Sequence, residues 1–396
     1  MIHEFVVNGI ALGSIFVLGA VGLSLIYGVR NFANFAHGDI LTLGAYLAFT
    51  VNVIFAWNWV SVAPSMSVAA VLLGIAAVGL AGALGLRLFF RVRGAPPSPR
   101  RRGLPLLFLL VGILALGASL PMLNLVRLGI SEVAVPTGLL LSGVTAIIGA
   151  GLAGVLFEHS IFRPLQYRGP IPSLIASIGL AFILQNVISA LYGTDQRFFS
   201  VSSGVGIDVG AGIVLTMVKQ YTIIIGVLLV VVLHLVLRYT KLGKAMRATS
   251  DDLDLARVTG INVRWVIIWT WVIGAGFAAI GGILLGLNAQ VKPLMGFGIL
   301  LFIFAAVILG GIGSAYGALL GGFVIGITNE VSKAFLFRAG FDAAWSPAFP
   351  FAIMVTMLLI RPEGLLGGEP LFRWGVLRAS LSRFARRIRG LRAPSR

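Results

Sequence analysis

The chain is divided into apolar runs of about twenty residues, each close to the length an α-helix needs to cross a hydrocarbon layer roughly 30 Å thick. The first, VVNGIALGSIFVLGAVGLSLI (Val6–Ile26), contains no charged residue. In lipid no water is present to satisfy backbone amides, so runs of this kind have the α-helix as their spanning form. The pattern places eleven spans: Val6–Ile26, Ile40–Ala56, Ser67–Phe90, Leu104–Leu123, Pro136–Phe157, Ile171–Tyr192, Tyr221–Leu237, Trp265–Leu287, Phe297–Ile312, Ala315–Phe337 and Ala348–Ile360. Two are short, and only GGIGSAYG interrupts Phe297 to Phe337, so the expected fold class is an all-α polytopic integral membrane protein with about 9–11 transmembrane helices. Only 11% of residues are charged, which agrees with membrane burial. No basic residue precedes the first apolar run, so Met1–Ala20 reads as a retained span rather than a cleaved signal.

Alternating the spans sorts the basic residues onto two sides. One side receives Arg30, the five arginines of RVRGAPPSPRRR, Arg163, Arg168, six basic residues from Arg238 to Arg264, and nine arginines after Ile360. The other receives Arg127, Arg197, Lys219, Lys292 and Arg338. The richer side is expected to be cytoplasmic, with the amino terminus outside and the carboxyl tail inside. This topology and contact with membrane lipid account for the formal charge of +17, and no nucleic-acid partner is inferred.

Several chemistries are excluded. There is no cysteine, hence no disulfide or thiolate metal site. No GxxxxGK[ST] or HExxH motif occurs, so neither ATP hydrolysis nor zinc proteolysis is expected of this chain. Asp195, Asp208, Asp251, Asp252, Asp254, Glu363 and Glu369 fall in loops or the tail, which disfavours an ion-coupled carrier with acids at mid-membrane. Glu330 and Lys333 are spaced to pair along one helix, and His234 reads as a hydrogen-bonded core histidine.

Two polar stretches stand out. In YGVRNFANFAHGDILTLGAY, Asn31, Asn34, His37 and Asp39 interrupt two apolar helices. Backbone groups exposed by such a break are tolerated only where protein or a water-filled cavity receives them, so Asn31, Asn34 and His37 are candidates for a solute pathway. The competing reading is interhelical hydrogen bonding, with Asp39 as a helix cap. Gln185 and Asn186 add a second polar point on a helix where Ser173 and Ser177 share a face. The other stretch, KLGKAMRATSDDLDLARVTGIN (Lys241–Asn262), is charged throughout. Ser250 or Asp251 is expected to cap a two- to three-turn helix ended by Gly260, with Ala256 on a small face open to close approach.

GKAMRATSDDLDLARVTGIN, NFAHGD (Asn34–Asp39), LGGIGSAYGALLGG (Leu309–Gly322) and RPEGLLG (Arg361–Gly367) closely resemble the permease subunits of branched-chain amino-acid ABC importers, the high-affinity Leu/Ile/Val system. The resemblance implies a permease core driven by ATP hydrolysis elsewhere. Two ATP-binding subunits would hold the ATP and magnesium, leaving this chain without a cofactor, and a second homologous permease and a periplasmic or extracellular substrate-binding protein would complete the assembly in the bacterial inner membrane. It also implies that Lys241–Asn262 couples to the ATPase, with Arg247, Asp251, Asp252, Ala256 and Gly260 as candidate contacts. Urea and short-amide importers share this permease type and remain an alternative cargo class.

The expected organisation is therefore residues 1–63 with the polar break; residues 64–136, two helices and an Arg/Pro-rich loop that the resemblance implies are an insertion relative to shorter members of that family; helices at 137–237; the coupling segment at 238–264; helices at 265–362; and a basic tail at 363–396.

Overall fold

The computed structural model describes residues 2–56, 135–199, 207–208 and 214–366. The expected spans Ser67–Phe90 and Leu104–Leu123, the arginine-rich loop and the tail beyond residue 366 lie outside the described residues. The other expected spans are all helical: α1 (Ile2–Arg30), α2 (His37–Ala56), α3 (Val135–Phe157), α4 (Pro170–Tyr192), α5 (Met217–Tyr239), and, after the short polar helices α6 (Lys241–Asp251) and α7 (Leu253–Val258), α8 (Val263–Asn288), α9 (Met295–Gly310), α10 (Ala315–Arg338) and α11 (Ala348–Ile360). Among the described residues, seven helical stretches are long and apolar enough to cross a membrane, and α9, at 16 residues, is a shorter apolar helix. The chain is a multi-pass membrane protein. A two-residue antiparallel pairing of Ile207–Asp208 with Val214–Leu215, and a bridge between Arg197 and Val291, lie in the connections at the end opposite Arg30.

α1 runs beyond the expected Ile26 to Arg30 because Asn31 terminates it. Asn31 takes up a left-handed backbone (φ +53°), a conformation asparagine tolerates better than most side chains, while its N–H bonds to the Tyr27 carbonyl at 2.7 Å.

α1 occupies the centre, packed most extensively on α10 and also on α8. With no hydrophobic force between helices in lipid, close packing of small residues has to supply the association. A Cβ added to Gly22 would lie 2.5 Å from the Gly274 carbonyl oxygen, and one on Gly9 would lie 2.7 Å from Ile327 Cα. Leu41 meets Gly282, Gly38 meets Gly296, and Gly310 meets Gly317 with backbone against backbone. Around this centre α4, α5 and α11 turn Ile175, Ile183, Ile224, Leu228, Leu359 and similar side chains outward, as helices facing lipid or another subunit do.

The two glycine-bearing motifs meet in space. After α11, Gly364 turns the chain (φ +78°), and the N–H groups of Leu365 and Leu366 donate to the carbonyls of Leu309 (2.8 Å) and Gly310 (2.9 Å). RPEGLLG thus supplies donors that the C-terminus of α9 cannot find within its own helix. Ser314 caps the start of α10 through the Gly317 N–H at 3.1 Å.

Candidate functional site

The break between α1 and α2 lies within the bundle. His37 Nε2 is 2.9 Å from the carbonyl of Gly19. Gly19 precedes Arg30 by eleven residues, about 16 Å along a helix, so residues 31–36 climb back alongside α1 and α2 begins well inside the bundle. The exposed backbone is met by protein. Ser177 on α4 accepts the Phe35 N–H at 3.0 Å, and Asn34 accepts the Ala36 N–H through Oδ1 (3.1 Å) and the His37 N–H through its carbonyl (3.2 Å). A buried amide left without an acceptor costs about 1–3 kcal/mol. Ser177→Ala is accordingly expected to lower the melting temperature in detergent, whereas Ser189→Ala, which removes only a bond to the carbonyl of Gln185 one turn back, should change it little.

Asn34, His37, Asp39 and Gln185 are all buried, and Gln185 Nε2 donates to Asp39 Oδ1 at 3.0 Å. Asp39 therefore does not cap α2: its carboxylate faces α4, and Asn34 receives the N–H groups of Ala36 and His37 at the helix start. Asn34 Nδ2, His37 Nδ1 and Asp39 Oδ2 make no hydrogen bond to the described residues. Asn31 is exposed at the end of α1, away from this cluster. Asn186 also diverges: it is exposed on the outer face of α4 and donates to the Phe182 carbonyl at 2.8 Å. Ser173, Ser177 and Gln185 form the inward stripe, and Asn186 is one helical step off it.

The Arg30 end holds a second polar group that the sequence reading did not assign. Arg30 and Glu158 form a two-pronged ion pair with both side chains only 6% exposed, and the longer prong, Nε to Oε2, measures 2.9 Å. Arg30 Nη1 donates to Gln166 at 2.9 Å, and the indole N–H of Trp271 on α8 donates to Glu158 Oε2 at 2.8 Å. Glu158 opens a π-helical turn, Glu158–Phe162, at the end of α3. Asp39 and Glu158, which are not among the acids expected in loops or the tail, are buried in the bundle, each held by a partner more than a hundred residues away. A lone acid closing the apolar run VLFEHSIF was the available signal, because a charge there needs a counter-charge.

Below this group lies the polar segment, in two helices. Thr240 caps α6 through the Gly243 N–H (3.0 Å), and α6 buries Gly243, Met246 and Thr249. Asp252, rather than Ser250 or Asp251, caps α7, accepting from Asp254 N–H (3.0 Å) and Leu255 N–H (2.9 Å). Asp252 is free to cap because its backbone is extended there, whereas Ser250 and Asp251 already lie in α6. α7 has six residues, shorter than expected, and Gly260 follows it with φ +84°. Arg247, Asp251 and Asp252 are exposed. Ala256 is 3% exposed and turned toward the core, so it presents no small outward face; the outward apolar side chains are Leu255 at 61% and Val258 at 86%. Leu253, Asp254 and Arg257 form one wall of a cavity of about 350 Å³, and Arg30, Asn31, Phe32, Phe162 and Gln166 belong to its other walls.

Elsewhere, the Glu330–Lys333 pair forms as expected. His234 is hydrogen-bonded to the Tyr316 hydroxyl at 3.1 Å, although it is half-buried at the periphery rather than in the core.

A multi-pass helical bundle with a helix broken inside it, a buried polar set at the break and an outward-facing polar segment at one end has the architecture of a membrane transport subunit. Residues 5–98 and 103–358 match the family described as branched-chain amino acid transport system / permease component, and the chain belongs to that family. It is 28% identical over 368 residues to the high-affinity branched-chain amino acid transport system permease protein LivH of Escherichia coli K12, covering 91% of this chain and 94% of that one. To the corresponding permease protein BraD of Pseudomonas aeruginosa it is 26% identical over 372 residues, with the same coverage of 91% and 94%. A shorter likeness, 29% over 127 residues, covers 32% of this chain and 28% of the permease protein LivM of Escherichia coli K12. No solved structure matches.

Proposed function

We propose that this chain is the membrane permease subunit of an ATP-binding-cassette importer that passes leucine, isoleucine and valine into the cytoplasm of a bacterium across its inner membrane. Its amino terminus lies outside and its basic end faces the cytoplasm, in line with the positive-inside distribution. The ATP and magnesium belong to two separate ATP-binding subunits that dock on α6 and α7. A second, similar permease pairs with this one, a reading supported by the likeness to both LivH and LivM, and a substrate-binding protein delivers cargo on the outer side.

The observation that carries the reading is α7, where Leu255 and Val258 stand exposed on a charged segment at the basic end. Two apolar side chains presented from a capped helix suit a groove on a soluble partner. Arg247, Asp251 and Gly260 are candidate rim contacts, while Asp252 and Ala256 act by holding α7 in shape. At the break, the unpartnered Asn34 and His37 nitrogens and Asp39 oxygen offer both donors and acceptors, which suits a zwitterion or a short amide.

One observation favours a second reading, an ion-coupled carrier: Asp39 is a buried acid with a free carboxylate oxygen beside the break. Affinity purification of the chain from native membranes in mild detergent tests between them. Recovery of ATP-binding subunits and a second permease is the expected result. A chain recovered alone that moves solute in liposomes without ATP would sink the importer reading.

A further inference from the structure

We propose that Arg30, Glu158 and Trp271 form a positioning relay that ties the ATPase-docking segment to the broken helix, so that movement of one is transmitted to the other. The proposal rests on the importer reading above and names residues that the docking reading alone does not require.

The argument begins with connectivity. Only the four-residue turn 259–262 separates α7 from α8; it is bonded back onto α7 through the Ile261 N–H to the Ala256 carbonyl (3.1 Å), and Asn262 caps α8 through the Trp265 N–H at 3.4 Å, so a displacement of the docking segment is passed to the first turns of α8. Trp271 lies eight residues into α8, about 12 Å along it, and is fully buried. Its indole N–H holds Glu158, and Glu158 holds Arg30, the last residue of α1 before the break. A parallel apolar connection runs beside the polar one: Trp271 stacks on Phe162 (5.3 Å, 15°), and Phe162 meets Phe32, within the broken segment, at 4.8 Å. Both connections pass through the same π-helical turn.

Three features distinguish this from an ordinary structural ion pair. First, removing a charge pair from solvent is costly and is offset only when the remaining donors and acceptors are filled, as Gln166 and Trp271 fill them here. The pair lies in a packed interior, and packed interiors shift between discrete arrangements rather than deform gradually. Second, π-helical turns are rare within α-helical segments and concentrate at functional sites, and here one such turn carries both Glu158 and Phe162. Third, the cavity of about 350 Å³ separates Leu253, Asp254 and Arg257 of α7 from Arg30, Phe32 and Phe162, so α7 has room to approach the relay.

The test uses the complete importer in proteoliposomes, measuring leucine uptake per ATP hydrolysed. Glu158→Gln keeps an acceptor for Trp271 and removes the charge; Trp271→Phe keeps the stack on Phe162 and removes the N–H. Both variants are expected to assemble and hydrolyse ATP near the wild-type rate, while uptake per ATP falls about tenfold for Glu158→Gln and severalfold for Trp271→Phe, within the usual range of site-to-site coupling. An unchanged ratio, or a proportional fall of uptake and hydrolysis, overturns the relay. If Glu158→Gln fails to assemble, Trp271→Phe decides by the same readout. Failure of the importer reading is separately visible, since a wild-type complex would then show no ATP-dependent uptake.

Discussion

Gly310→Ala is expected to leave little folded protein in the membrane, while Gly298→Ala leaves it intact. A Cβ at Gly310 falls onto the Gly317 carbonyl and the Ala318 nitrogen, whereas one at Gly298 meets nothing within 4 Å. Gly310 sits where α9 turns into α10, and its carbonyl accepts the Leu366 N–H at 2.9 Å. The added methyl therefore pushes apart two backbones and the RPEGLLG segment together, with no flexible side chain to give way. Ordinary overpacking costs about 1–3 kcal/mol, and a backbone clash at a three-way contact is expected to exceed it. At Gly298, by contrast, alanine should gain about 0.5–1 kcal/mol from the helix-forming preference alone. Monodisperse yield and melting temperature in detergent measure the difference, and equal values for the two variants would contradict the packing described.

The second large effect is on assembly. Leu255→Asp combined with Val258→Asp is expected to insert and fold normally yet lose the ATP-binding subunits. Both side chains are exposed, so the chain itself gives up little packing. Losing two apolar anchors and adding two charges to a docking groove costs on the order of 3 kcal/mol, a weakening of about a hundredfold. Bulky replacements at Ala256 or Gly260 would be poorer probes. Ala256 is buried in the chain, and Gly260 has a left-handed backbone that a side chain strains, so either change disturbs α7 itself. Quantitative co-purification reads the effect; full recovery of ATP-binding subunits with the double variant would show that α7 is not the docking element.

Among the described residues the spans were legible, because lipid imposes one rule on every apolar run and the helix positions there follow hydropathy. Helix ends were less so: α1 continues to Arg30 because Asn31 adopts a left-handed turn, which hydropathy does not report. The depth of the break was not legible, since it is set by His37 reaching Gly19 and by Phe35 reaching Ser177, contacts between residues 18 and 142 positions apart. A helix turns adjacent side chains about 100° apart, so Gln185 and Asn186 cannot share a face, and the phase of Ser173 and Ser177 favours Gln185 alone. Nothing near Arg30 in the sequence marks its pairing, because its partner lies 128 residues away. The inward turn of Ala256 is not legible either: a short amphipathic helix has two faces, and composition does not say which one the bundle covers.

The most direct test of the central claim is leucine uptake into proteoliposomes containing this chain with its co-purifying subunits and substrate-binding protein, measured with and without ATP and magnesium inside the compartment that exposes the basic end. The account predicts accumulation that requires ATP and disappears when the ATP-binding subunits are omitted. Equal uptake without ATP, or uptake by this chain alone driven by an ion gradient, would contradict it.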